Sequence, residues 1–336
     1  MSRSDRPRVW VSRPLFDDIL DGLREHFDVE VEGDDRDWTR VEMARKLADK
    51  AGAILGVADP VDAGVLAHAP LLRAIANRGV GYNNLDIPAL AAAGIVVTNT
   101  PGVLDETVAD FAWTLMLATA RRATEAERYL RDGQWKGMSF HILLGGDVHG
   151  RTLGILGMGR IGQAVARRAV GFRMPVIYHN RSRLDAAVEA DCKARYVDRD
   201  TLLREADFLV LTVPMTAQTR HAIGAAELER MKRDAFLINI ARGGVVDDAA
   251  LVAALAEKRI AGAGLDVFER EPAVPADMLA LDNVVLTPHI ASASLATRRA
   301  MARMAVDNLI AALGCGPDAG HPPNVIHADS SLARRG

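Results

Sequence analysis

The sequence predicts an α/β fold of two doubly wound parallel-sheet domains, and three observations lead there. Short β-branched or apolar runs alternate with amphipathic helical stretches, the pattern of parallel strands covered on both faces. These runs fall into two series, five in the first hundred residues and six after residue 150. The second series carries a glycine-rich turn, GILGMGRIG, at 154–162. A chain of 336 residues is long enough to bury two cores of ordinary size.

The first series reads RVWVS, DVEVEG, GAILGV, LRAIANRG and GIVVTNTP, with FDDILDGLREHF and WTRVEMARKLADKA as helices among them. One long helical segment is predicted over about 104–132. A looser stretch, QWKGMSFHILLGGDVHG, leads into TLGILGMG, PVIYHN, FLVLTVP, AFLINIA, GAGLDVF and VVLTPHI. After His289 the pattern turns helical again, and HPPNVIHADSSLARRG reads as a peripheral tail.

Composition excludes several classes of partner. Hydrophobic residues at 49% and charged residues at 25% are ordinary for a soluble globular chain. A net charge of −3 gives no basic footprint for nucleic acid. Two distant cysteines, Cys192 and Cys315, make neither a disulfide framework nor a metal-ligand spacing, so no metal is expected. The N-terminal residues lack the apolar core of a secretory signal, and FAWTLMLATA at 111–120 is too short to span a bilayer. A cytoplasmic protein with no membrane partner is the expectation.

The glycine turn carries the first chemistry. Gly157, Gly159 and Gly162 follow an apolar strand and open a helix, the context in which this spacing binds a dinucleotide. Gly157 permits the tight turn, Gly159 lets backbone approach a pyrophosphate, and Gly162 lets helix pack on strand. The helix N-terminus then offers free N–H groups and partial positive charge to the phosphates. At the tip of the next strand, where an acid would pair with the ribose of NAD, the chain reads HNRSR at 179–183. Arg181 and Arg183 are guanidinium partners for a 2′-phosphate, with Asn180 and Ser182 as neutral donors, while Arg183 taken alone reads as surface charge. The tip therefore favours NADPH over NADH.

Three residues fall at strand ends, where open α/β sheets hold their ligands: Arg242 after FLINIA, Glu271 after GLDVF, and His289 at the end of VVLTP. Reduction of a 2-keto acid by hydride needs a cation to hold the carboxylate and polarise the ketone. It also needs a proton donor for the forming alkoxide, usually histidine, and an acid that keeps that histidine protonated. At GMGRIG, NIARGGVVDD, GLDVFEREP and PHIASAS the chain resembles the D-isomer-specific 2-hydroxyacid dehydrogenases over nearly its whole length. Within that family GDVHGRTLGILGMGRIG and MPVIYHNRSR are similar to the glyoxylate/hydroxypyruvate reductase branch, which includes 2-ketogluconate reductases and typically prefers NADPH.

The resemblance implies a Rossmann cofactor domain over 104–290 inserted into a flavodoxin-like substrate domain of 1–103 and 291–336, with the site in the cleft between them. It implies Arg242 on the substrate carboxylate and carbonyl, His289 as acid/base and Glu271 as its partner. Backbone N–H groups of Val80 and Gly81, in NRGVGYNNLD, would hold the carboxylate, and Leu55 would line the pocket. Asp266 would bond the nicotinamide carboxamide, Val213 and Pro214 would flank the adenine, and Thr107 would lie near the cofactor. Arg160, Ile161, Thr219 and Ile240 complete the expected cofactor set. A homodimer is implied, with AERYLRDGQWKGMSFHILLGGDVHG as its arm. One departure stands out. FHILLGGDVHG has Leu143 and Leu144 where relatives often carry a tryptophan before GxDVH, and Trp135 lies further upstream. Two other readings stay open: a non-catalytic dinucleotide-sensing protein akin to the corepressors that share this fold, and D-3-phosphoglycerate dehydrogenase.

Overall fold

Four-residue runs such as Gly52–Leu55, Leu153–Leu156 and Phe208–Leu211 are buried at every position, as strands covered on both faces must be. The computed structural model describes residues 6–327. The chain divides into two units, one of residues 1–104 with 294–336 and one of residues 105–293.

The first unit holds five parallel strands, β1 (Arg8–Val11), β2 (Asp28–Val31), β3 (Gly52–Leu55), β4 (Ala74–Asn77) and β5 (Val96–Thr98), in the order β2-β1-β3-β4-β5. That order reverses between β1 and β3, the place where such sheets open a crevice. The helices Asp17–His26 and Leu295–Ala312 cover one face, where Ile19, Leu20, Leu23, Ala305, Val306 and Leu309 meet Val9, Val11 and Ile54. On the other face the helices Arg40–Leu47 and Ile87–Ala92 bury Met43, Leu47, Ile87 and Leu90 against Trp10, Leu55 and Ile75.

The tail departs from the peripheral reading. Val325 bridges Thr98, the Ile326 N–H donates to Val97 O at 2.7 Å, and the Asn99 N–H donates to Asn324 O at 3.2 Å. Residues 324–326 thus satisfy the free edge of β5, and Ile326 packs on the core. The rest of the tail, 328–336, lies outside the described residues.

The second unit holds β6 (Leu153–Leu156), β7 (Val176–His179), β8 (Ala194–Tyr196), β9 (Phe208–Leu211), β10 (Phe236–Asn239), β11 (Gly262–Leu265) and β12 (Val284–Leu286). All pair in parallel, in the order β12-β11-β10-β9-β6-β7-β8. This is the doubly wound order of a dinucleotide-binding sheet with one strand added, and its switch point lies between β6 and β9. Six strands are expected here from the sequence. β8 is the seventh, a three-residue edge strand whose residues are half-buried or exposed, so it carries no apolar run.

The single helix predicted over 104–132 is two, Asp105–Ala120 and Ala123–Arg131. Arg122 between them is left-handed, with φ 51°. The Ala120 carbonyl accepts from the Gly146 N–H at 2.9 Å instead of continuing the helix, and Arg122 Nη1 donates to Leu144 O. Among the described residues no helix is long and apolar enough to cross a membrane.

Candidate active site

The glycine turn leaves β6 at the switch point. Gly157 takes φ 101°, and a Cβ there would stand 2.7 Å from the Val213 backbone nitrogen at the end of β9. A Cβ on Gly162 would stand 2.7 Å from Gly157 O, so the helix Arg160–Ala169 lies directly on the strand. Nothing lies within 4 Å of the Cβ position of Gly159. That open space, beside a helix N-terminus with no side-chain cap, fits a dinucleotide pyrophosphate. Arg160 is exposed at this end and Ile161 half-buried. Across the switch point, Thr219 Oγ1 donates to Pro214 O at 2.7 Å and accepts from the Thr216 N–H at 2.8 Å, closing the loop after Val213. Ile240 is buried, and Thr107 sits in the first turn of Asp105–Ala120, half-buried.

The strand tip is organised differently from its sequence reading. Asn180 Oδ1 accepts from the Met158 N–H at 2.6 Å, tying the tip to the glycine turn. Arg183 is engaged elsewhere: its Nε and Nη2 donate to Glu189 Oε1 and Oε2 at 2.9 and 2.7 Å. Tyr178, wholly buried, donates to the same Glu189 at 2.8 Å and accepts from the Leu184 N–H at 2.8 Å. Arg183, then Tyr178, hold the Glu189 carboxyl below its ordinary range. The expectation that Arg183 joins Arg181 as a phosphate partner is therefore corrected, since its fork is already filled by a carboxylate. Arg181 and Ser182 stay exposed and make no hydrogen bond or ion pair among the described residues.

At the C-terminal ends of β10, β11 and β12 three loops converge. His289 Nδ1 donates to Glu271 Oε2 at 2.7 Å, and Glu271 Oε1 accepts from the Phe268 N–H at 2.9 Å. Burial alone would raise the Glu271 carboxyl, but His289, the Phe268 N–H and the charge of Arg242 outweigh it and hold it below its ordinary range. His289 has φ 54°, an uncommon conformation for a non-glycine residue, and its N–H donates to Asp266 O at 2.9 Å. Strain of this kind gathers where a side chain must be aimed.

Arg242 follows β10 in extended backbone, half-buried, with Nη1 donating to Ala241 O at 2.7 Å. Burial lowers its pKa and Glu271 opposes that, but a guanidinium stays charged at neutral pH. The two loops are joined at Gly243, where a Cβ would overlap the backbone of Phe268. Asp248 Oδ2 adds a bond from the Glu269 N–H at 3.1 Å.

Asp266 stands apart from its expected role. It is completely buried, and its carboxylate accepts from Thr287 Oγ1, the Ile290 N–H and the Ala291 N–H at 2.7–2.8 Å. Its carboxylate holds the loop that carries His289. Asn239 does the same for Arg242: Oδ1 accepts from the Ala241 N–H and Nδ2 donates to Arg242 O, both at 3.1 Å. The sequence reading missed Asn239, although an asparagine ending the apolar run FLIN was its signal.

In the first unit, Leu55 is wholly buried in the core with Trp10, Val61 and Leu90. As the last residue of β3 it faces the helices, so its place as a pocket wall is corrected to a core position. Val80 and Gly81 are half-buried on the loop after β4. Among the described residues no cluster of three or more His, Cys, Asp or Glu side chains could hold a metal ion.

Glu271 carries a pH expectation. Its folded pKa is depressed, so its contribution to stability is present above the ordinary value of 4.5 and lost as pH falls through the lower folded value. The melting temperature of the wild type should therefore fall more steeply below that value than that of E271Q. Parallel acid branches in a melting series would contradict the pairing.

Residues 113–291 match the NAD-binding domain of the D-isomer-specific 2-hydroxyacid dehydrogenases. The glyoxylate reductase of Thermococcus gammatolerans is 49% identical over 310 residues, covering 91% of this chain and 92% of its own. An NADPH-dependent glyoxylate/hydroxypyruvate reductase of Sinorhizobium meliloti, solved with NADP and malonate, is 38% identical with a TM-score of 0.84, covering 96% of this chain and 97% of that one. A glyoxylate reductase from Paecilomyes thermophila superposes with a TM-score of 0.85 at 31% identity, covering 96% and 98%. With its parallel sheets, glycine turn and these relatives, the chain is an oxidoreductase belonging to the D-isomer-specific 2-hydroxyacid dehydrogenase family.

Proposed function

We propose that the protein reduces small 2-keto acids, glyoxylate and hydroxypyruvate foremost, to D-2-hydroxy acids with NADPH as the preferred reductant. The observation that carries this reading is the His289–Glu271 pair at 2.7 Å, with Arg242 close enough for its charge to act on Glu271. Glu271 occupies Nδ1, so Nε2 is the nitrogen that delivers a proton to the forming alkoxide. Glu271 orients the ring and stabilises the imidazolium. Arg242 holds the substrate carboxylate and polarises the ketone. NADPH, when bound, supplies the hydride to the carbonyl carbon. Residues 105–293 act as the cofactor domain, and the Val80 and Gly81 N–H groups bind the substrate carboxylate.

The NADPH preference rests on Arg181, exposed at a tip that has no acid. Replacing Arg181 with glutamate is expected to weaken NADPH selectively, by roughly 2–3 kcal/mol, or about 30- to 150-fold in KM. An equal loss with NADH would refute the phosphate role. We further propose a cytoplasmic homodimer. Met138 and Phe140 are 93% and 91% exposed on the segment after Ala123–Arg131, with Trp135 and Leu144 also exposed. Light scattering that gives a monomer would exclude the dimer. The first test is steady-state reduction of both keto acids at 340 nm, NADPH against NADH. Rapid turnover with NADPH supports the reading; cofactor binding without turnover on either acid refutes it.

A further inference from the structure

On the loop after β4, three consecutive carbonyls are taken by two asparagine side chains. Asn77 Nδ2 donates to Gly79 O at 3.2 Å and to Gly81 O at 2.9 Å, and Asn99 Nδ2 donates to Val80 O at 2.9 Å. The Thr100 N–H adds a second bond to Gly79 O at 3.3 Å. Asn77 is completely buried, and its Oδ1 has no partner among the described residues, so its amide is oriented by what Nδ2 binds. A trans peptide sets each N–H opposite the carbonyl before it. Pinning the carbonyls of Gly79 and Val80 therefore turns the N–H groups of Val80 and Gly81 away from both asparagines. Those two N–H groups have no acceptor among the described residues.

Behind this pair stands a second. Asn308, buried on the helix Leu295–Ala312, donates from Nδ2 to Asn99 O at 3.0 Å and accepts at Oδ1 from Asn324 Nδ2 at 3.2 Å. The Asn99 N–H donates in turn to Asn324 O. The chain of amides runs from the C-terminal segment to the loop, and each link fixes the next. A two-point amide site aimed by four neutral side chains suits a planar carboxylate, because no fixed charge lies within the chain to repel it.

We propose that Asn77 and Asn99, backed by Asn308 and Asn324, are positioning residues that preset the Val80 and Gly81 N–H groups for the substrate carboxylate. This rests on the keto-acid reading above. The test is calorimetric titration of oxamate, an unreactive 2-keto acid analogue, into NADPH-saturated wild type, N77A and N99A, with kinetics and melting on the same proteins. Oxamate affinity is expected to fall about tenfold in each variant, and KM for glyoxylate to rise in step, with kcat and NADPH affinity within about twofold. N99A, at a half-buried position, covers the case in which N77A does not fold.

Unchanged oxamate affinity in folded N99A would overturn the proposal. So would oxamate affinity, NADPH affinity and melting temperature falling together, since that is what a merely structural asparagine does. Wild type that binds oxamate with this asparagine dependence yet reduces no keto acid would sink the function and leave the loop assignment standing.

Discussion

Replacing His289 with asparagine is expected to lower kcat for glyoxylate about a thousandfold, with KM for NADPH unchanged. Asparagine can still donate to Glu271, so the loop after β12 should keep its shape. The substitution removes only the titratable nitrogen that would protonate the alkoxide. Glu271 then becomes an ionised carboxylate with a neutral partner, and its depressed pKa should relax upward because its largest stabilising contact is gone. Stopped-flow measurement of a single turnover separates chemistry from product release and reads the effect directly. A loss of less than about tenfold would mean that another group delivers the proton, and His289 would be reduced to a loop element.

Gly243→Ala is expected to cost more stability than any other single methyl placed near the site. The new Cβ would overlap the carbonyl group of Phe268 and crowd the Glu269 nitrogen. Backbone has no rotamer with which to retreat, so the two loops must part. A cost of about 3 kcal/mol or more, or a fall in melting temperature of about 6–12 °C, is expected. Activity should fall with it. Arg242 immediately precedes the glycine, and the Phe268 N–H is the bond that holds Glu271 Oε1. Parting the loops therefore misplaces the guanidinium and the carboxylate together. An alanine variant with wild-type melting and kcat/KM would show that these loops are not in contact in solution. Differential scanning calorimetry decides between the two.

Which features could be read from the sequence follows from how each is stabilised. β3, β6, β9 and β10 are buried on both faces and therefore written as unbroken apolar runs. The glycine turn marks where the second series of strands begins. β8 lies at an edge with half its surface in water, so nothing in KARYVD distinguishes it from a loop. The break at Arg122 is imposed by a hydrogen bond from Gly146, twenty-four residues away from the point where helical propensity is judged. Arg242, Glu271 and His289 stood out because each is a charged or titratable residue following an apolar strand. Asn77, Asn99 and Asn239 did not, since an asparagine after a strand is most often a turn former, and only the carbonyls it reaches distinguish the two uses. The use of Arg183 was hidden for a related reason: its partner, Glu189, is six residues on and arrives only because a helix follows the tip.

The Tyr178–Glu189–Arg183 knot has a bearing on how such an enzyme can change. It fixes the shape of the turn after β7 from beneath, with a buried hydroxyl and a carboxylate that never reach the tip. The tip residues Arg181 and Ser182 are exposed and make no hydrogen bond or ion pair among the described residues. Selection, or an engineer, can exchange them without refolding the loop. On the cofactor reading proposed above, reductant choice is separable from foldability: position 181 can drift between cofactors while the rest of the protein stays constant.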